Sequence, residues 1–358
     1  MIYHAPAHVA MAQLADESQD VLVFDPPYNT GNTANKVEGY DQSESIVKQK
    51  WKNFYAGWDA IDDMAGFTNL WLDEARRVLK PSGSLFVFGS HHNIPITDIC
   101  LKQQKWWVNQ WISWCIPNAF PQRKMIQQVS SNQVIIHARK GKSQRHVYNV
   151  ERAKDYAALD YWRRTGRLPI TRTNLRDFWL INNDSRAVKQ FPFLVHGAKK
   201  PPEVVARCID IALPEEGGAV FDAFLGSGTT LYTSKYLNDW IVTPRATLPT
   251  YSGSELYIEY ARMCEMRCEM EIKPLEGGLS LPNDARMEIR KEAGDWADYI
   301  LDQQLRPMLI PELVRLWDAP RPMLKRPGIV QVKRKPNISE QQSMLSFWQQ
   351  GENNDNQG

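Results

Sequence analysis

The stretch from Val21 to Gly31 contains residues that could carry out chemistry. Its first four residues, Val-Leu-Val-Phe, predict a buried strand of a parallel sheet. Asp25-Pro26-Pro27-Tyr28 follows directly, and proline cannot donate a hydrogen bond to a neighbouring strand. The strand therefore ends at a carboxylate, a rigid turn and an aromatic ring, at the edge where open α/β sheets bind ligands. We interpret these four residues as a functional turn rather than as a plain connection.

A second motif, Phe224-Leu225-Gly226-Ser227-Gly228-Thr229-Thr230, lies between a predicted strand (219–224) and a predicted helix. Glycines at such a junction let the backbone approach a ligand closely, and the helix amino terminus offers free N–H groups. The motif lacks the lysine of a phosphate-binding loop, and Leu231 replaces the third glycine of a dinucleotide fingerprint. We therefore expect a nucleoside-type cofactor without a long phosphate chain.

An acidic residue downstream of such a loop, about 20 residues on, commonly holds ribose hydroxyls. Glu255 is the candidate here, although it lies slightly late, after a stretch from Thr243 to Ser252 that we interpret as an insertion. Asp239 and Asp222 are alternatives.

The rest of the chain supplies the elements that position these motifs. Residues 1–20 predict a short lead-in with one helical turn, and the polar residues 30–49 predict a loop beside the site. Lys80-Pro81-Ser82-Gly83 predicts a turn between a helix and a strand. Further helices are predicted at 67–79 and 202–213, and further strands at 84–89, 110–115 and 133–138. This pattern predicts an α/β fold.

The composition is ordinary for a globular enzyme, with 43% hydrophobic and 23% charged residues among 358. No apolar run reaches about 18 residues and the chain start has no secretory pattern, so we expect a cytoplasmic protein. Five scattered cysteines suit a reducing compartment. Cys264 and Cys268 lie one helical turn apart without further ligands at metal spacing, so we expect a helix face and no metal site.

The near-neutral net charge of +2 conceals a basic segment. Residues 121–200 contain 17 Lys and Arg against five acidic residues, interleaved with tyrosine, tryptophan and phenylalanine. Such a segment suits a polyanion such as DNA or RNA. We interpret residues 141–195 as an insertion for target recognition. Its candidates for phosphate or guanine contacts are Arg163, Arg164, Arg167, Arg172 and Arg176.

Together the two motifs resemble those of the DNA amino-methyltransferases that use S-adenosylmethionine. These enzymes carry an Asp/Asn/Ser-Pro-Pro-aromatic tetrad and a Phe-x-Gly-x-Gly loop. Here the tetrad precedes the basic segment and the glycine motif, which is the permuted order of the β group. His196-Gly197-Ala198-Lys199-Lys200-Pro201 also resembles that group's His-x-x-x-Lys-Pro signature, and residues 79–85 resemble a recurrent helix-to-strand turn.

The resemblance implies a fold and a domain organisation. The fold is a Rossmann-like, S-adenosylmethionine-dependent methyltransferase sheet in permuted order. The implied divisions are a catalytic half (1–140), a target-recognition insertion (141–195), a cofactor-binding half (196–272) and a C-terminal extension (273–358). Double-stranded DNA is the implied substrate.

The resemblance also implies roles for single residues. Hydrogen bonds from an exocyclic amino group to the Asp25 carboxylate and the Pro26 carbonyl would pull that nitrogen towards sp³ geometry, so that it attacks the sulfonium methyl group in line. Pro27 keeps the turn rigid, and Tyr28 stacks on the flipped base. The implied cofactor-binding residues are Phe224, Gly226, Ser227, Gly228 and Thr229, with Glu255 at the ribose and Lys200 and Pro201 at the methionine end.

The target base and the partners stay open at this point. Aspartate at the first tetrad position favours adenine N6, with cytosine N4 as the alternative; an RNA-modifying enzyme and an inactive nucleic-acid binder are more remote. Asn29-Thr30-Gly31 resembles the modification subunits of restriction systems, which would make a cognate nuclease a partner.

Near the end of the chain, residues 341–348 form a second recognisable peptide. They resemble the motif by which proteins dock on the PCNA sliding clamp, with Gln341, Met344, Phe347 and Trp348 at its recurring positions. One helical turn would place the three apolar side chains on one face. The alternative is a short helix packed on the protein's own surface.

Overall fold

The described part of the chain forms a nine-stranded sheet with helices on both faces. The computed structural model describes residues 1–30, 59–119, 128–142, 146–167, 169–171, 173–183, 191, 193–194, 196 and 198–301. Most of the predicted polar loop lies outside these residues.

The strands and helices have the following bounds. The strands are β1 (Ile2–His4), β2 (Gln19–Phe24), β3 (Leu79–Gly89), β4 (Trp107–Cys115), β5 (Asn132–Arg139), β6 (Phe178–Leu180), β7 (Ala219–Asp222), β8 (Thr250–Glu255) and β9 (Ile272–Pro274). The helices are α1 (Ala7–Met11), α2 (Met64–Val78), α3 (Ile94–Gln103), α4 (Val150–Thr165), α5 (Pro202–Ala212), α6 (Thr229–Lys235), α7 (Ile258–Cys268), α8 (Asn283–Glu292) and α9 (Ala297–Leu301).

The strand order places the two motifs side by side. Among the described strands it is β6-β4-β5-β3-β2-β7-β8-β1-β9, and only β5 runs antiparallel to its neighbours. Strands β2 and β7 pair in parallel, with Val21 opposite Val220 and Leu22 opposite Phe221. Both motifs therefore leave the sheet at the same edge, and the predicted α/β fold is confirmed.

Alternation along β2 explains why this strand is central. Val21 and Val23 pack with α4 and α5 on one face, whereas Leu22 and Phe24 pack with α1, α2 and α3 on the other. All four side chains are at most 2% exposed. Burying an aliphatic or aromatic side chain is worth about 1.5–3 kcal/mol, so both layers hold the strand beneath the tetrad in place.

The predicted turn at Lys80-Pro81-Ser82-Gly83 lies within a strand instead. Strand β3 begins at Leu79, which pairs with Gln19, and its next pairing joins Ser84 to Val21. The intervening residues therefore form a bulge on the sheet. The sequence correctly predicted an irregular backbone at these residues, but β3 pairs with β2 on both sides of the irregularity.

Two short strands were not predicted. The lead-in contains β1, which pairs with β8 and β9, and β9 spans residue 273, where the C-terminal extension was expected to begin. Three-residue strands are too short to show alternation. Residues after β9 also belong to the core, since Leu281, Ile289 of α8 and Ile300 of α9 are buried in the same hydrophobic cluster as α7.

The basic insertion is also built partly into the main sheet. Strand β6 extends the sheet beside β4, and Tyr156 of α4 shares a core with Trp114 and Trp179. This segment was predicted as an insertion for target recognition, and the strand that it adds to the sheet was not predicted. Its few large aromatic residues suffice to dock it. The four-part domain division remains a prediction.

Candidate active site

A cavity of about 520 Å³ opens at the sheet edge where β2, β7 and β8 end. Its lining combines residues of both sequence motifs. Among them are Asp25, Pro27, Lys200, Asp222, Phe224, Gly226, Ser227, Thr229 and Glu255. Residues of both motifs that lie far apart in the sequence thus line one cavity. Four predicted residues are not part of the lining: Pro26, Tyr28, Pro201 and Gly228.

The Asp25 carboxylate has one engaged oxygen and one free oxygen. Its Oδ2 accepts a hydrogen bond from Lys200 Nζ at 2.5 Å. Its Oδ1 is buried and has no hydrogen-bond partner among the described residues. Because an unpaired buried carboxylate oxygen is costly, this atom is suited to a hydrogen-bond donor from a ligand.

Tyr28 is held by both its backbone and its side chain. Its hydroxyl donates to Gln133 Oε1 at 3.1 Å, and the Lys200 ammonium lies 5.2 Å from the centre of its ring. Burial and the nearby Asp25 charge raise the pKa of Tyr28 well above its usual value. The phenol therefore stays neutral, and its ring is fixed beside the carboxylate. Pro26, one residue after Asp25, is buried.

A carboxylate that sequence reasoning missed lies beneath this turn. Asp59 is only 6% exposed and accepts backbone N–H bonds from Tyr28 at 2.6 Å, Asn29 at 2.8 Å and Thr30 at 3.0 Å. It also accepts the Thr30 hydroxyl at 2.6 Å. No local pattern in the sequence points to this residue, because its partners lie about thirty positions earlier.

The glycine motif forms the second wall of the cavity. Gly226 and Gly228 have φ values of +48° and +70°, which glycine adopts without strain. A Cβ at Gly226 would come within 3.0 Å of the His196 ring, and one at Gly228 within 2.9 Å of Cys264 Sγ. Both glycines are therefore required by the backbone and by close packing.

Glu255 lies directly against this motif, despite its late position in the sequence. Its Oε2 accepts the Gly226 N–H at 2.8 Å and its Oε1 accepts the Tyr257 N–H at 3.1 Å. Strand β8 runs parallel to β7, with Gly253 opposite Asp222, so Glu255 extends to the ligand-binding edge. Of the three acidic candidates, Glu255 and Asp222 line the cavity.

Burial changes the pKa of two carboxyls in the cavity lining, those of Glu255 and Asp222. It raises the pKa of Glu255 to about 7, against the opposing effect of the two backbone N–H bonds. Burial also raises the pKa of Asp222 to about 7, and hydrogen bonding to Thr230 opposes that rise. In contrast, burial lowers the pKa of His196 to about 3, so that ring is neutral at physiological pH.

The remaining predicted cofactor-binding residues contact each other or neighbouring parts of the protein. Ser227 and Thr229 lie with their hydroxyl oxygens 3.0 Å apart, and Thr229 Oγ1 donates to the Lys200 carbonyl at 3.3 Å. Pro201 precedes the first residue of α5. The ring of Phe224 packs edge-on against Phe24 and Trp71, at centroid distances of 5.8 Å from each.

Polar contacts between α4 and α5 determine where the predicted DNA-binding arginines lie. Asn149, before α4, donates to the Leu213 carbonyl at the end of α5, whereas Arg163 bonds Glu203 at the start of α5. The two helices therefore run antiparallel. Since Lys200 immediately precedes α5, the carboxyl end of α4 lies at the sheet edge that carries the cavity.

The predicted arginines differ in their availability. Arg163 is engaged with Glu203 at 2.5 Å, with 13% of its side chain exposed. Arg164, Arg167 and Arg176 are exposed. Arg172 lies outside the described residues, as do the tail positions Gln341, Met344, Phe347 and Trp348.

The described residues contain neither a membrane-spanning helix nor a cluster of metal-ligating side chains. Their helices include none that is both long and apolar enough to span a membrane. Within the same part of the chain, no three His, Cys, Asp or Glu side chains are arranged to bind a metal ion. Cys264 and Cys268 are free thiols buried on α7.

Comparison with known proteins places this site in a family. Residues 19–266, which include both motifs, match a family model described as a DNA methylase. The type II methyltransferase M2.LlaDCHI of Lactococcus lactis subsp. cremoris is 29% identical over 238 residues, covering 66% of this chain and 81% of that protein. M2.DpnII of Streptococcus pneumoniae, also a type II methyltransferase, is 26% identical over 272 residues, covering 76% and 90%.

Solved structures share the fold. The M1.HpyAVI–SAM complex has a TM-score of 0.50 at 19% identity, covering 75% of this chain and 99% of that one. The cytosine-N4-specific PvuII DNA methyltransferase has a TM-score of 0.50 at 13% identity, covering 82% and 93%. Because the family model spans more than half of the chain, this protein belongs to the N6/N4 family of DNA methyltransferases.

Proposed function

We propose that this protein transfers a methyl group from S-adenosylmethionine to the N6 nitrogen of a flipped adenine at a specific DNA sequence. The observation that carries the proposal is the shared cavity. Asp25, with its free buried oxygen, and the glycine motif with Glu255 line the same space. A hydrogen-bond acceptor for the amino group of a base and a pocket for a nucleoside-type cofactor are thus close enough to serve one methyl-transfer reaction.

The cavity suits S-adenosylmethionine, the methyl donor of this family. The left-handed glycines keep side chains out of the motif's wall, and the Glu255 carboxylate is available to ribose hydroxyls. Phe224, Ser227 and Thr229 complete this part of the pocket, with Lys200 and Pro201 on the methionine side. When bound, the cofactor supplies an electrophilic methyl group on a sulfonium.

The tetrad prepares the amino nitrogen for attack. Lys200 holds Asp25 Oδ2, which leaves Oδ1 to accept an N–H of the base, and the Pro26 carbonyl accepts the other. These bonds favour sp³ geometry and free the nitrogen lone pair. The ring of Tyr28 stacks on the extruded base, which returns roughly 1–3 kcal/mol of the flipping cost. The choice of adenine rests on aspartate, rather than serine, as the first tetrad residue.

DNA binding is proposed for the exposed arginines at the cavity edge. Arg164 lies in the last turn of α4 and Arg167 follows that helix, at the end of α4 that lies beside the start of α5. Arg176 is exposed beside β6. Their charges suit the phosphates that flank an extruded base. Arg163 acts differently, since its ion pair with Glu203 fastens α4 to α5.

Substitution of Asp25 tests the reaction. Asp25→Ala is expected to lower transfer of tritiated methyl groups to duplex DNA by about 10²-fold or more, with cofactor affinity largely kept. Asp20→Ala is the matched control, because Asp20 is a buried carboxylate that pairs with a lysine, Lys80, at the other end of β2. Equal activity of Asp25→Ala and wild type would refute the mechanism.

Analysis of the product identifies the base. Mass spectrometry of nucleosides from treated DNA is expected to show N6-methyladenine, whereas N4-methylcytosine would refute the adenine assignment. Methylation of RNA instead of DNA would refute the assignment of DNA as the substrate. Single-molecule sequencing of the methylated DNA would give the recognised sequence.

The same proposal includes two protein partners. The type II relatives and the Asn29-Thr30-Gly31 sequence support a cognate restriction nuclease. The spacing of Gln341, Met344, Phe347 and Trp348 supports docking to a PCNA-type sliding clamp. Titration of a peptide with residues 335–352 against such a clamp tests the second idea, and no binding at high micromolar concentration would exclude it.

A further inference from the structure

The Asp59 carboxylate gathers the backbone that follows Asp25. Three successive N–H groups, those of Tyr28, Asn29 and Thr30, point at its two oxygens over 2.6–3.0 Å. The Thr30 hydroxyl makes a fourth hydrogen bond. Backbone N–H groups that converge in this way form an anion-binding concavity, and here a side chain of the same chain occupies it.

The turn depends on this support because its backbone is unusual. Asn29 has a φ of +55°, a conformation that costs energy in residues other than glycine. Its side chain is tied to the residues after Asp59 by two further bonds, from Asn29 Nδ2 to the Ile61 carbonyl at 2.9 Å and from the Ile61 N–H to Asn29 Oδ1 at 3.2 Å. The segment from Asp59 to Ile61 thus clamps the turn from both sides.

We propose that Asp59 is a positioning residue for methyl transfer. By fixing the Tyr28 backbone, it sets the distance between the stacking ring and the free oxygen of Asp25. The inference rests on the proposed function, because it assigns Asp59 to the same reaction without contact to the reacting atoms. A shift of about 1 Å in a reacting group can lower a rate about 10²-fold.

Asp59→Asn tests the proposal with little change in volume. The amide keeps one acceptor oxygen and loses the charge, so it cannot hold all four donors. Single-turnover methyl transfer with saturating S-adenosylmethionine and DNA is expected to slow by about 10- to 100-fold. Cofactor affinity, measured by calorimetry, is expected to stay within about twofold, because Asp59 is not part of the cavity lining. Thr30→Val removes only the hydroxyl bond and is expected to slow transfer less.

Asp63→Asn is the matched control. Asp63 is an exposed aspartate nearby that caps α2 by accepting the Gly66 N–H at 2.8 Å, and it does not contact the tetrad. Both variants are expected to lower the thermal midpoint, Asp59→Asn by more because it weakens four hydrogen bonds of a buried carboxylate against one at an exposed cap. Only Asp59→Asn should slow single-turnover transfer.

Two results would overturn the inference. If wild type methylates DNA and the Asp59→Asn rate matches that of Asp63→Asn, Asp59 has no positioning role. If the cofactor affinity of Asp59→Asn falls in parallel with its rate, Asp59 supports the folded structure as a whole and does not position the tetrad specifically. If wild type methylates no nucleic acid at all, the proposed function itself fails, and the positioning role fails with it.

Discussion

The acidity of Glu255 leads to a specific prediction about cofactor binding. Burial raises the pKa of this carboxyl to about 7, so its charge changes within the physiological range. A ribose hydroxyl donates to the ionised form more strongly than to the protonated form. We therefore expect S-adenosylmethionine to bind more tightly as the pH rises through 7.

The size of the effect follows from the fraction ionised. With a pKa of about 7, Glu255 is roughly 90% ionised at pH 8 and roughly 10% ionised at pH 6. If the ionised form binds, affinity falls roughly tenfold between these pH values, or about 1.4 kcal/mol. Loss of a hydrogen bond to a charged acceptor costs about 1.5–3 kcal/mol. Glu255→Gln is therefore expected to bind roughly 10- to 150-fold more weakly at pH 8.

Calorimetric titration of wild type and Glu255→Gln at pH 6, 7 and 8 is the assay. The cofactor's own titration cancels in the ratio of the two affinities, which isolates Glu255. Asp222→Asn distinguishes the contribution of Asp222 from that of Glu255. The substitution removes a neighbouring negative charge that raises the pKa of Glu255. In that variant the pH dependence should persist with its midpoint shifted downwards.

Two outcomes would refute this reasoning. One is a wild-type affinity that does not change between pH 6 and pH 8. The other is a Glu255→Gln variant that retains the wild-type affinity and the wild-type pH dependence.

Three further predictions concern the framework and the DNA surface. Arg207→Leu leaves the largely buried Asp160 without its partner, so the free energy of unfolding measured in urea should fall by about 3–5 kcal/mol. A fall of less than about 1 kcal/mol would contradict this. Gly228→Ala should weaken cofactor binding at least about tenfold in calorimetry, because a Cβ there meets a cysteine sulfur at 2.9 Å. Gly166→Ala is its control, with a similar φ of +69° but no atom within 4 Å of the new Cβ, and its affinity should be unchanged. Arg164→Gln should lower the salt dependence of DNA binding by about one phosphate contact in anisotropy titrations, and an unchanged slope would exclude that contact.

Local signals allowed the two motif strands to be predicted from the sequence. In β2, four consecutive apolar residues are followed by Asp25 and two prolines, and the apolar strand β7 is followed within a few residues by Gly226 and Gly228. Each signal lies within a few residues. The short strands β1 and β9 carry no such signal, because three residues pair only when a neighbouring strand is already in place.

The candidate site divides in the same way. Asp25, Tyr28 and the glycine motif could be named from residue type and spacing alone. Lys200 was assigned to the methionine end of the cofactor, and its contact with Asp25, 175 positions away in the sequence, was not predicted. Only the fold brings these two side chains together.

The sequence by itself determined the chemical groups and the order in which they occur along the chain. The tertiary structure alone decided which of them meet. The parallel pairing of β7 and β8 brings Glu255 to the glycine motif, and the return of the chain at Asp59 provides the carboxylate beneath Tyr28. The physical reason is that hydrogen bonds act over about 3 Å, whereas the sequence records only separation along the chain. Such contacts exist only after the sheet and its helices have packed.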